Sequence, residues 1–271
     1  GSATVICTDK TGTLTQNRME LVLAYVSGRP VKAAQLTLES MGEGLAVGAH
    51  VCHSLGEVED AGGKHLTGDP MEIALVTTAR KLLGRPPPAR RDEIPFDPDR
   101  KRLTVLAGTA ERATVYTKGA LETVLPLCSQ IEENGVVREL TVADCERVLA
   151  AQDTMAREGL RVLAFAHRAA TGTGDLAAQE HDLTLSGLVG LYDPPRPEVQ
   201  GAIHRCRAAG IRTIMVTGDH PTTAVAIGRE IDLVTTDSPV VVTGPELAKL
   251  SDAELGLVLD AEEILFARTK P

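Results

Sequence analysis

Apolar residues at 5–7 lead directly into Thr8 and Asp9, and a second short apolar run, in IRTIMVTGD at 211–219, ends in the same way on Gly218 and Asp219. Apolar runs of this length, bounded by turn residues, are the pattern of strands buried on both faces of a parallel sheet. Ahead of the second run, RPEVQGAIHRCRAAG at 196–210 places Val199, Ile203 and Cys206 at helical spacing, with Gly210 as the stop. After it, PTTAVAIGREIDL at 221–233 repeats the helical pattern. This alternation predicts a doubly wound parallel sheet.

From about residue 25 to 187 the pattern changes to alternating segments such as RLTVLAG at 102–108 and RATVYTKG at 112–119, which predict antiparallel strands. Helices are predicted over 70–84, with Pro70 in the first turn and Gly84 as the stop, and over 141–159. RPPPARRDE at 85–93 reads as a Pro-rich connector and ATGTGDLAAQEHD at 170–182 as a polar loop. The expected organisation is one α/β domain in two parts, 1–24 and 188–271, interrupted by an α+β domain at 25–187. No internal repeat is present.

Composition narrows the picture. A chain of 271 residues suggests two compact domains, and 37 Asp and Glu against 28 Lys and Arg, a formal charge of -9, disfavour nucleic acid as a partner. Cys7, Cys52, Cys128, Cys145 and Cys206 are scattered, with no C-x-x-C pair, and read as ordinary buried thiols in a reducing compartment. His50, His53 and His65 have mixed spacing and read as solvated loop residues rather than metal ligands. No stretch approaches ~18 uninterrupted apolar residues, so the chain is expected to be soluble, without direct insertion into a membrane.

The acidic residue closing the first run carries the candidate chemistry. Ligands of open parallel sheets bind beyond the carboxyl ends of the strands, where Asp9 sits and where Thr217, Gly218 and Asp219 would arrive. Asp9 there can attack a phosphoryl group held by cations and amide donors. Thr11, Gly12 and Thr13 suit the phosphate: glycine permits close approach, and hydroxyls and amides donate.

The block DKTGTLT at 9–15 resembles the phosphorylation motif of the P-type ATPases, cation pumps that phosphorylate their own aspartate from ATP. The resemblance continues in order through TGDPMEIAL (67–75), PFDPDRKR (95–102), TKGALE (117–122), GLRVLAFA (159–166), DPPRPEV (193–199), MVTGDH (215–220) and FAR (266–268). It implies a haloacid dehalogenase-like phosphorylation domain, carrying Asp9 as nucleophile with Lys10, Thr11, Thr217, Gly218 and Asp219, and an inserted nucleotide-binding domain. By the same resemblance Mg2+ would be held by the Asp9 carboxylate and the Thr11 carbonyl. Phe96 would stack on adenine, Glu72 would accept from its amine, Lys118 and Gly119 would line the pocket, and Lys101, Arg161 and Arg268 would lie near phosphates or sugar. The residues alone leave other roles open, since Phe96 also fits a core position and Glu72 a first-turn carboxylate.

The motifs look most like the type II pumps, although type III proton pumps share several. Soluble phosphohydrolases of the implied fold usually place a second Asp two residues after the nucleophile, whereas Thr11 stands there, and without a positioned base an acyl phosphate persists. Such a phosphohydrolase is therefore the alternative to a pump. The calcium-pump subgroup often has an arginine where Pro98 stands, so that a phosphate ligand is expected to be missing or to move to Arg100 or Arg102. The family continues past FARTKP to a lysine and a GDGxND motif, neither of which precedes Pro271. The expectation is a cytoplasmic-face fragment that binds nucleotide without full turnover, with the transmembrane and actuator domains of the same parent as partners. It also leaves the first strand unpaired on one side.

Overall fold

The computed structural model describes residues 3–60, 63–171 and 175–269. The first half runs β1 (Val5–Asp9), β2 (Glu20–Val26), β3 (Arg29–Lys32), α1 (Leu38–Met41), α2 (Glu43–Val51), β4 (Gly56–Asp60), β5 (Gly63–Thr67), α3 (Pro70–Leu83), β6 (Arg90–Asp97), β7 (Arg102–Gly108), β8 (Ala113–Gly119) and α4 (Leu121–Val124). The second half runs β9 (Cys128–Glu133), β10 (Val136–Glu139), α5 (Val142–Arg157), β11 (Arg161–Ala169), β12 (Leu183–Tyr192), α6 (Val199–Ala208), β13 (Arg212–Val216), α7 (Pro221–Glu230), β14 (Val240–Thr243), α8 (Gly244–Leu247), α9 (Asp252–Leu259) and β15 (Ile264–Ala267). These elements form a mixed α/β structure in two compact units, one of residues 1–18, 156–160 and 193–271, the other of residues 19–155 and 161–192.

The smaller unit is built on a parallel sheet in the order β1-β13-β15-β14. Ile214, Val242, Ile264 and Phe266 bury one of its faces beneath Leu247, Leu255 and Val258, while α6 and α7 pack on β13 and β15. Val199 and Ile203 are buried as the helical spacing predicts, and Gly210 adopts the left-handed conformation that ends the segment. The apolar start of β1 is not buried: Val5 and Ile6 are 47% and 38% exposed, and Cys7 is exposed as well. The reason is topological, because among the described residues β1 pairs only with β13 and forms the edge of the sheet.

The larger unit is built on an antiparallel sheet, β10-β9-β12-β11-β8-β7-β6, with β2 on β12 and β3 on β2; only β9 and β12 run parallel. Helices α2 and α3 cover one face, burying Leu45, Leu75, Ala79, Leu103, Val105 and Phe165 together. Helix α3 begins where Asp69 accepts from the Met71 amide at 2.7 Å and stops at Gly84, which is left-handed. Further expectations need correction. The Pro-rich connector yields to strand at Arg90, because backbone pairing with β7 overrides local composition. His50 is no loop residue: it lies in α2 and is buried. The polar loop at 170–182 contains a short helical turn, Ala177–Gln179, and its residues 172–174 lie outside the described residues.

Candidate functional site

In the smaller unit, backbone register sets the site. Asp9 is the last residue of β1 and lies opposite Val216, so Thr217, Gly218 and Asp219 emerge beside it at the same sheet edge. Cys7, Thr8, Asp9, Val216, Thr217, Gly218 and Thr269 line a hollow of about 210 Å³ there. Asp9 is exposed, whereas Lys10 is buried with its ammonium on the Asp219 carboxylate. Arg268, left-handed at φ 50, donates its amide to the Asp219 carbonyl at 2.9 Å, and the Thr217 amide donates to the Phe266 carbonyl at 2.8 Å.

The turn that follows, Lys10–Leu14, leaves Thr11 exposed and uses Gly12 at φ 75, a conformation that favours glycine. It is bolted down by residues to which the sequence reading assigned no role. Thr15 donates its hydroxyl to the Asp193 carboxylate at 2.6 Å, and the other Asp193 oxygen accepts from the Arg18 amide at 3.1 Å. Arg196 donates to the Gly12 carbonyl at 2.8 Å. Asp193 and Thr15 are both buried, so each satisfies the other away from water. The segment DPPRPEV was the available signal: a carboxylate beside two prolines and an arginine.

In the larger unit, Lys118 on β8 and Glu72 in the first turn of α3 form a buried ion pair of 2.7 Å, with side chains 8% and 13% exposed. The second Glu72 oxygen accepts from the Ser54 amide at 2.8 Å. Beside this pair, burial and then Arg90 lower the pKa of His53 to about 4, and burial pushes the Cys52 thiol up to about 12. Phe96, on β6, is 57% exposed, which settles against a core position. Lys101, left-handed at φ 50, pairs with Glu122 at 3.1 Å on the surface. Gly119 faces Arg102 so closely that a Cβ would come within 2.5 Å of the Lys101 carbonyl oxygen. Arg161 opens β11 and is exposed, three residues before Ala164, the neighbour of Gly119.

Arg100 and Arg102, the expected substitutes for the arginine replaced by Pro98, both lie on Glu180. Glu180 is buried, and sequence reading missed it inside a polar loop. Burial raises its pKa, but hydrogen bonds from Arg102, Thr104 and Arg100 outweigh that and hold it below the ordinary carboxyl range. Among the described residues, no group of three or more His, Cys, Asp and Glu side chains gathers as a metal centre, and no helix is long and apolar enough to cross a membrane.

Comparison with known proteins identifies the family. The family described as P-type ATPase, cytoplasmic domain N, matches residues 43–198. A calcium-transporting ATPase of Bacillus cereus is 38% identical over 278 residues, covering all of this chain and 31% of its own length. Similar proteins of Listeria monocytogenes and Bacillus subtilis, also called calcium-transporting ATPases, are 36% and 35% identical over the whole chain and 31% and 33% of their own lengths. The chain thus spans about a third of the curated relatives it matches. With the family match covering more than half of its residues, the chain belongs to the P-type ATPases.

Proposed function

We propose that this chain is the ATP-binding and self-phosphorylating portion of a membrane cation pump, working at the cytoplasmic face beside the transmembrane and actuator domains of the same parent. The observation that carries the reading is the exposed Asp9 carboxylate at the end of a parallel strand, on a hollow shared with Thr217 and Gly218, with Lys10 fixed by Asp219. The parallel order β1-β13-β15-β14 supports a haloacid dehalogenase-like phosphorylation domain.

In this reading an Asp9 oxygen attacks the terminal phosphorus of ATP, forming an acyl phosphate bond as the bond to the bridging oxygen breaks and ADP leaves. The Thr217 hydroxyl and the turn amides donate to phosphate oxygens. Two protein oxygens, from Asp9 and the Thr11 carbonyl, fit a Mg2+ site of the kind completed by substrate phosphates and water; the ion would supply charge neutralisation. Thr11, where a general base would stand, cannot activate water, so the acyl phosphate outlives its formation. The exposed ring of Phe96 fits adenine stacking, and Lys118, held by Glu72, fits a pocket wall. The names of the relatives favour calcium as the transported ion.

Calorimetric titration with ATP and magnesium tests the reading. The chain should bind and Phe96→Ala should lose most of that binding; equal heats for both, or none for either, would discard the nucleotide site.

A further inference from the structure

We propose that Glu180 is a positioning residue for the nucleotide pocket, its buried carboxylate fixing the turn and strand ends that present Phe96, Lys101, Lys118 and Gly119. The inference rests on the reading of this unit as a nucleotide site and adds a residue to it.

Glu180 holds the 98–101 turn and the strand that leaves it. One oxygen takes Arg100 and the Thr104 hydroxyl, the latter at 2.5 Å; the other takes Arg102 through Nη2 at 2.8 Å and Nε at 3.2 Å. Thr104 in turn lies 3.0 Å from the Thr117 hydroxyl, which carries the network to β8. Three residues of this network adjoin a pocket candidate in sequence: Arg100 and Arg102 flank Lys101, and Thr117 precedes Lys118. Arg102 also pairs in register with Asp97, the residue after Phe96, and with Gly119 on the other side.

The side of the sheet matters as well. Leu103 pairs with Lys118 and is buried on the face covered by α3, where Glu72 meets Lys118. Arg102 and Thr104 alternate to the opposite face, and Glu180 gathers them there. A buried carboxylate bound to two guanidiniums and a hydroxyl has few alternative positions, so it locks the strand ends in one register. Arg100 and Arg102 are thereby committed to a protein carboxylate and do not replace, as phosphate ligands, the arginine whose place Pro98 takes.

That distinction gives the test. The chain contains three phenylalanines, Phe96, Phe165 and Phe266, so incorporation of 4-fluorophenylalanine yields three fluorine resonances, and Phe96→Ala identifies the pocket line. In Glu180→Gln the Phe96 line should shift or broaden without ligand while the Phe266 line, from the other unit, stays in place. Affinity for magnesium ATP and for adenosine, read by titration of the same line, should fall together by about tenfold, because base placement is what changes. If ATP instead binds more tightly while adenosine is unaffected, the freed arginines are phosphate ligands and the inference is overturned. Unchanged affinity with an unchanged Phe96 line overturns it equally, and leaves the nucleotide reading intact. If the unaltered chain binds neither ligand, the nucleotide reading fails, and the Phe96 line of the unliganded variant still decides whether Glu180 positions the turn. Should Glu180→Gln not fold, Arg100→Gln, which leaves Arg102 and Thr104 on Glu180, should move the Phe96 line and both affinities the same way by a smaller factor; no movement there counts against the inference.

Discussion

In the smaller unit every candidate residue stands at or just beyond the carboxyl end of a parallel strand, and one ion pair, Lys10 with Asp219, joins two of them. In the larger unit the candidates come from a helix, three strands and a turn, and buried charge pairs hold them: Glu72 with Lys118 on one face of the sheet, Glu180 with Arg100 and Arg102 on the other. The difference follows from topology. Parallel strands deliver their ends to one edge, so Asp9 and the Thr217–Asp219 segment meet there without further support. Antiparallel strands send alternate ends in opposite directions, so a pocket there needs side chains that reach across elements.

Removing one charge from the larger unit challenges this contrast most severely. Lys118→Met leaves the partly buried Glu72 with its Ser54 amide but without its cation, and should destabilise that unit by about 2–4 kcal/mol; adding Glu72→Gln should recover most of the loss. Hydrogen exchange resolved by peptide checks that the loss is confined to residues 19–155 and 161–192. The matching lesion in the smaller unit is Asp193→Ala, which removes the acceptor of the Arg18 amide and leaves the Thr15 hydroxyl only the Lys10 carbonyl at 3.3 Å. It should cost about 1–3 kcal/mol, seen as faster exchange in the 9–18 turn and not in α3.

Phe96→Ala separates binding from folding. With its ring exposed, the side chain contributes little to stability, yet its removal should weaken magnesium ATP by roughly 1–3 kcal/mol in calorimetry, with an unchanged unfolding midpoint. The smallest effect is on pH. The folded pKa of His53, about 4, lies below the 6.5 of a free imidazole, so protons favour the unfolded chain. Its stabilising contribution is complete above pH 6.5 and lost as pH falls toward 4, on the order of 1 kcal/mol after allowing for its partial exposure. Urea midpoints at two pH values, with His53→Gln flattening the slope, check the sign.

Much of the smaller unit was legible because its signals are local. The run at 211–219 contains β13, the spacing of Val199 and Ile203 marks the buried face of α6, and Asp9 closes β1 where the pattern of apolar and acidic residues puts it. Helix α3 was legible for the same reason, its cap, first-turn proline and stopping glycine all lying within the segment. What escaped depends on partners far along the chain. Glu180 sits in a segment of loop composition, and its meaning comes from Arg102, 78 residues away. Asp193 acquires its role only against Thr15, 178 residues distant. Strand β6 begins within a Pro-rich stretch because β7 offers it a ladder, and the exposure of Val5, Ile6 and Cys7 follows from the single neighbour of β1 among the described residues.

The order of residues was therefore enough for the alternation of elements, the position of Asp9 at a strand end and membership of the P-type ATPases, since periodicity, caps and contiguous motifs are written within a few residues of where they act. Tertiary packing was needed to decide which strand became an edge, that Phe96 faces solvent, and which carboxylates spend their charge on arginine, lysine or threonine. Those outcomes depend on desolvation and pairing, which exist only once distant segments have met.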